Sequence, residues 1–205
     1  MPIGEWVLGT ACAQNQAWRA AGLKPVSIAV NLSPRQFIQP DFSGTVRRLV
    51  TGSGLNTGCL ELELTENIMM QHAQTTTHAL QELSALGVRF SIDDFGTGYS
   101  SLNYLKRLPI HAIKIGPSFM RDVATSAADA ALVAAIVALA HSINIKVVAE
   151  GVETKAQLVF LRAHRCDVMQ GFYFSKAVPA AEFAELLRED RRLAFEGNEE
   201  KVKAK

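Results

Sequence analysis

Val88-Arg89-Phe90-Ser91-Ile92-Asp93-Asp94 is the stretch on which the fold turns. Its apolar, β-rich run, Val88–Asp93, closes on two acids. The segment before it, Ala73–Leu86, is helix-like, and Gly87 stands between them as a C′ residue. Working outward, the same unit recurs. Further apolar runs lie at Val26–Asn31, Cys59–Leu64, Ala112–Ile115, Ile145–Glu150 and Val168–Phe174. Helix-like stretches separate or flank them: Gly4–Ala21, Phe42–Val50, Ala127–Ser142, Lys155–Ala163 (with Thr154 as N-cap) and Ala180–Leu193. Strand and helix in regular turn predict parallel βα units with right-handed crossovers, and so an α/β fold with helices outside the sheet.

The size of the chain limits that fold. It has 205 residues, whereas an eight-fold βα barrel usually takes about 250. It opens on a helix. The expectation is a TIM-like (β/α) barrel that is incomplete, with its first two strands missing. With 48% hydrophobic and 20% charged residues, it can bury a sizeable core. The net charge of +1 offers no field to hold DNA or RNA. Cys12, Cys59 and Cys166 are scattered and odd in number, which excludes a disulfide framework and suits a reducing cytoplasm. No run reaches transmembrane length, and no signal peptide is read at the N-terminus. A membrane-anchored parent protein upstream is compatible with both readings.

Polar side chains gather where the apolar runs end. Asn31 closes the first run, Glu63 lies near the end of the second, and Asp93 and Asp94 close the third. Lys114 lies near the end of the fourth, Glu150 closes the fifth, and Gln170 lies inside the sixth. Parallel strands present these ends on one side, where α/β folds build their sites. Clustered carboxylates raise one another's pKa, and bound cations relieve the conflict. Hard oxygen donors without His or Cys favour Mg²⁺, Mn²⁺ or Ca²⁺ over zinc. Two such ions can clamp a phosphoryl group and activate water, so phosphodiester hydrolysis is the expected chemistry. Asp93 and Asp94 reach one site only if the strand ends or bulges there.

Other features are read as structural. Glu61 shares a face with Glu63 one step deeper and is expected only to pair with a cation. His72, His78, His111, His141 and His164 show no metal spacing. Trp6 and Trp18 are expected to anchor the packing of the opening helix. Asp94-Phe95-Gly96 imitates a kinase motif without the glycine loop and catalytic loop that would accompany it.

At these residues the chain resembles the EAL domain, the family of bacterial cyclic di-GMP phosphodiesterases. The matching segments are Asn31–Phe37, Glu63–Glu66, Asp93–Leu102, Lys114–Ile115, Ala149–Thr154 and Gln170–Ser175, with Gly4–Leu8 similar to the helix that precedes the Asn-bearing strand. The resemblance implies a βα barrel spanning residues 1–192, truncated at its N-terminus, followed by a charged tail, 193–205, that is frayed or disordered. It implies opening of cyclic di-GMP to linear pGpG in the cytoplasm. It implies two Mg²⁺ or Mn²⁺ ions held by Asn31, Glu63, Asp93, Asp94 and Glu150, with Lys114 holding the attacking water and Glu153 and Gln170 in support. Glu66 would anchor the loop Phe95–Leu102, which in this family couples to dimerisation.

Two departures stand out. The Glu-x-Leu signature with its Arg is absent, and its place would lie upstream of Met1. The family's Asp two residues after the lysine is replaced by Gly116. The first departure leaves open sheet edges and predicts a homodimer or oligomer. An upstream sensory or diguanylate cyclase domain in a longer parent is a further expected partner. The rival reading is a catalytically inactive EAL-type domain serving as a cyclic di-GMP receptor or protein-interaction module. An unrelated metal-dependent barrel such as an aldolase is a third, opposed by the ordered motifs.

Overall fold

The computed structural model describes residues 3–66, 73–96 and 105–193, with the backbone alone for 73–76. The expected tail, 193–205, lies outside these residues beyond Leu193. Leu60-Glu61-Leu62-Glu63-Leu64-Thr65 forms β2 (Leu60–Thr65). Its period of two sends the leucines, all wholly buried, to one side and the acids to the other. The remaining strands are β1 (Ile28–Asn31), β3 (Arg89–Asp93), β4 (Ala112–Ile115), β5 (Lys146–Ala149) and β6 (Val168–Met169). The strands pair in parallel in the order β1-β2-β3-β4-β5-β6 and curl into a half-barrel. β1 and β6 are its edges.

Helices cover the convex side. They are α1 (Ile3–Ala20), α2 (Pro34–Phe37), α3 (Phe42–Ser53), α4 (Ala73–Ala85), α5 (Pro117–Met120), α6 (Ala127–Ser142), α7 (Lys155–Ala163) and α8 (Ala180–Arg188). One core joins Val30, Leu62, Leu64, Phe90, Ile92, Ile113 and Val147 of the strands to Leu8, Val46, Leu80, Leu83, Val133, Val137 and Leu161 of the helices. Each fully buried aliphatic contributes about 1.5–3 kcal/mol. This side of the sheet therefore holds the fold together and leaves the concave side free for polar groups.

Local signals explain the boundaries. Ser126 caps α6 by accepting a hydrogen bond from the Asp129 amide. Thr154 caps α7 as expected, within a capping box completed by Gln157. Gly87, at φ 97, follows α4, and the Val88 amide reaches back to the Leu83 carbonyl. That is the left-handed C-terminal turn the sequence predicts.

Three expectations are corrected. The sixth strand is shorter than Val168–Phe174. It stops at Met169 because the chain turns at Gly171, where a β-carbon would lie 2.2 Å from the Val152 carbonyl oxygen. The last helix ends at Arg188 rather than at Leu193. Asp190 takes a left-handed φ of 44, and its side chain is held by Lys24 and Arg192. Trp6 is 57% exposed, so it is not the packing anchor expected of it. The buried residues of α1 are Leu8, Cys12 and Asn15, and a residue two positions before Leu8 sits about 200° around the helix from it. Trp18, by contrast, packs on Phe183, with ring centroids 4.9 Å apart.

Candidate active site

The strand register brings the predicted polar residues to one end of the sheet. Asn31 pairs with Glu63, and Thr65 with Asp93. Lys114 pairs with Val148, and the Glu150 amide continues that ladder by donating to the Ile115 carbonyl at 3.0 Å. Gln170 lies just past β6 rather than inside it, with its amide bonded to Ala149 O at 2.8 Å.

Lys114 is the centre of the cluster. Its Nζ lies 2.6 Å from Glu63 Oε1, 2.6 Å from Glu150 Oε1 and 4.0 Å from Asp93 Oδ1. Glu63 and Lys114 are both buried. Burial raises the Glu63 carboxyl. The hydrogen bond and charge of Lys114 pull it down, and the charges of Asp93 and Glu150 push it up again, leaving it raised. Burial alone would depress the Lys114 ammonium, but its hydrogen bonds and charge contacts with Glu150 and Glu63 outweigh that and raise it.

The condition on the paired acids is met by a strand end. β3 finishes at Asp93, and Asp94 turns into the left-handed region at φ 52. The Asp94 amide donates to Asp93 Oδ1 at 3.0 Å, and the Phe95 amide donates to the Lys114 carbonyl at 3.0 Å. Glu66 is buried, and its Oε2 accepts the Gly96 amide at 3.1 Å. The rest of the expected loop, 97–102, lies outside the described residues. Asn31 and Glu153 are exposed at the rim. Glu61 lies opposite Arg89 in the register, one step deeper. Of the histidines, His111, His141 and His164 make hydrogen bonds remote from this cluster, and His78 lies near Glu82. His72 lies outside the described residues.

Reasoning from sequence missed Gln157. This buried side chain accepts the amides of Glu153 and Thr154 at 2.8 and 2.9 Å and donates to Met120 O at 2.8 Å. It ties the loop after β5 to α5. The spacing Thr154-x-x-Gln157 is a capping-box signature and was the signal that could have found it.

The profile of the EAL domain matches residues 1–177. The chain belongs to the EAL domain family. The chain is 48% identical over 178 residues to the bifunctional diguanylate cyclase/cyclic di-GMP phosphodiesterase MucR of Pseudomonas aeruginosa, covering 87% of the chain and 26% of MucR. It is 42% identical over 186 residues to the cyclic di-GMP phosphodiesterase NbdA of the same organism, covering 91% of the chain and 24% of NbdA. This EAL domain thus spans about a quarter of the length of these curated relatives. Among solved structures, the MucR phosphodiesterase in complex with cyclic di-GMP superposes with a TM-score of 0.85 at 47% identity, over 88% of this chain and 73% of that one. The EAL domain of Mycobacterium smegmatis DcpA gives 0.88 at 39%, over 93% and 86%. A manganese and cyclic di-GMP complex of Klebsiella pneumoniae BlrP1 gives 0.75 at 30%, over 84% and 44%.

The donor chemistry of this EAL domain fits such a metal. Glu63, Asp93, Asp94 and Glu150 stand at neighbouring strand ends with Lys114, an excess of hard oxygen donors over cations. No ready cage is formed: among the described residues, no three His, Cys, Asp or Glu side chains converge as a metal-holding group. The Lys114 ammonium bridges Glu63 and Glu150 instead. No helix among the described residues is long and apolar enough to cross a membrane.

Proposed function

We propose that this EAL domain hydrolyses cyclic di-GMP to linear pGpG in the cytoplasm with two Mg²⁺ or Mn²⁺ ions. The convergence of Glu63, Asp93 and Glu150 on Lys114 at the C-terminal end of the sheet carries the reading. Asn31, Glu63, Asp93, Asp94 and Glu150 would hold the ions, which when bound supply Lewis-acid stabilisation and a water of lowered pKa. Lys114 has three N–H donors. Two are directed at Glu63 and Glu150, and the third is available to orient the attacking water. Glu153 and Gln170 sit on the two loops that flank the site, joined by the hydrogen bond from the Val152 amide to the Gln170 carbonyl at 3.1 Å. They would position water and substrate. Glu66 would set the start of the loop after β3 through Gly96.

MucR and NbdA are phosphodiesterases by name, and MucR is a cyclase as well. An upstream sensory or cyclase domain in a longer parent, and a homodimeric or oligomeric state, belong to the same proposal. The test is incubation of the purified chain with cyclic di-GMP and Mn²⁺, with pGpG followed by chromatography. Turnover abolished by Asp93→Ala supports the reading. Binding of cyclic di-GMP without turnover supports the receptor reading, which Gly116 favours because it removes an acid beside the site.

A further inference from the structure

The loops after β4, β5 and β6 meet at the site end of the sheet, and a glycine stands at each meeting. Gly151 lies against Pro117, the first residue of α5. A β-carbon at 151 would come within 2.8 Å of Pro117 Cβ and 3.1 Å of its Cα. Gly171 lies against Val152. A β-carbon at 171 would come within 2.2 Å of the Val152 carbonyl oxygen, 2.3 Å of its nitrogen and 2.7 Å of its carbonyl carbon. Gly151 also serves a φ of 69. Gly171 has no positive φ, so space alone accounts for it, and the obstacle is main chain, which has no rotamer to change.

The meeting at Gly171 is bonded on both sides. The Val152 amide donates to the Gln170 carbonyl at 3.1 Å, and the Val152 carbonyl accepts the Tyr173 amide at 2.9 Å. Val152 cannot yield. Its side chain is 3% exposed and packed in the core. Gly151 before it is backed by Pro117. Gln157 holds the amides of Glu153 and Thr154 after it and reaches Met120 O. β6, by contrast, is an edge strand of two residues. An extra atom at 171 therefore displaces the loop after β6, and Gln170 moves with it, away from Glu153.

We propose that Gly171 is a positioning residue for Gln170: its bare Cα lets the loop after β6 close on Val152, and that closure sets the distance at which Gln170 and Glu153 reach one bound nucleotide. This inference rests on the cyclic di-GMP reading above. It makes the loops after β4, β5 and β6 one rigid wall of the site, joined through Gly151 and Gly171.

The experiment uses the full chain with Gly171→Ala, Gln170→Ala and their combination. Gly52→Ala is the control, since a β-carbon at 52 meets nothing within 4 Å. Hydrogen exchange of the Tyr173 amide reads the contact without any ligand, and calorimetry with cyclic di-GMP and Ca²⁺ reads its use. Gly171→Ala is expected to speed Tyr173 exchange by about tenfold or more. It is expected to weaken cyclic di-GMP by about fivefold to tenfold, the scale of one hydrogen bond. In the Gln170→Ala background it should weaken the ligand no further. Gly52→Ala should change neither quantity. The wild type gives a reading that needs no variant: cyclic di-GMP with Ca²⁺ should slow Tyr173 exchange, because a ligand held by Gln170 favours the closed loop. Unchanged exchange in Gly171→Ala overturns the contact. Faster exchange with unchanged affinity, an equal loss of affinity in both backgrounds, or wild-type Tyr173 exchange that bound cyclic di-GMP does not slow overturns the positioning role and leaves the cyclic di-GMP reading intact. A wild-type chain that does not bind cyclic di-GMP overturns that reading and the role of Gly171 with it.

Discussion

Lys114 Nζ lies 2.6 Å from Glu63 Oε1 in a contact where both side chains are almost wholly shielded from solvent. Removing one partner of a buried pair costs far more than the pair contributes, because it strands the remaining charge. Lys114→Met is expected to destabilise the domain by about 3–5 kcal/mol. That corresponds to a melting temperature lower by roughly 10 °C for a chain of this size. Combining it with Glu63→Leu should recover part of the loss. An unchanged melt for Lys114→Met would show that the contact does not hold the strand ends together.

Asp167 gives a pH dependence at the opposite end of the sheet. Its Oδ2 lies 2.8 Å from His141 Nε2 and accepts the Val147 amide at 2.8 Å. Burial raises this carboxyl, but the hydrogen bonds from His141 and Val147 and the charges of His141 and Lys146 outweigh burial and leave it below its usual 3.8. A depressed folded pKa contributes stability above the unfolded value, and that contribution is lost as pH falls through the folded one. Urea midpoints of wild type and Asp167→Asn should therefore differ near neutrality and converge below about pH 4. A gap that persists into acid would remove the carboxylate as its source.

Gln157 satisfies groups from two loops at once, so its loss should exceed that of an ordinary cap. Thr154→Ala is expected to cost about 1 kcal/mol. Gln157→Leu leaves two amides and the Met120 carbonyl without this partner, and each unsatisfied buried group costs about 1–3 kcal/mol. Chemical denaturation of the two variants checks the order. A smaller loss for Gln157→Leu than for Thr154→Ala would contradict it.

Glu66 holds the Gly96 amide through one carboxylate oxygen. Its other oxygen has no hydrogen-bond partner among the described residues. Glu66→Gln keeps an acceptor and should preserve protection of the Gly96 amide from hydrogen exchange. Glu66→Ala removes the acceptor and should speed that exchange by about tenfold or more, as loss of a hydrogen bond to a charged group is worth about 1.5–3 kcal/mol. Equal exchange in both variants would mean that the loop is held elsewhere.

β1 and β6 expose the two edges of a parallel sheet, and such edges recruit further strands. The isolated chain is expected to elute as an oligomer in size-exclusion chromatography with light scattering, or to be poorly soluble. A clean monomer with a cooperative melt would refute this.

The sequence was most legible where one period ruled. β4 was expected at Ala112–Ile115 and lies there, because an apolar run between polar loops leaves one reading. The concentration of Glu63, Asp93, Lys114 and Glu150 was legible for the same reason: parallel strand ends must share a side. The short helices α2 and α5 escaped notice because a single turn carries no periodic signal. The end of β6 was set by the approach of Gly171 to Val152. Contacts between segments so far apart in the chain leave no mark in either local sequence.

In β2, leucines that must match a volume alternate with Glu61, Glu63 and Thr65, which answer to polar groups across the site. The two sets can therefore change independently. A library randomised at Ala29, Asn31, Glu61 and Thr65, on the concave face, should return many folded members with altered ligand preferences. One randomised at Val30, Leu60, Leu62 and Leu64 should return few. For such a domain, the route to new chemistry runs through positions that the core does not hold hostage.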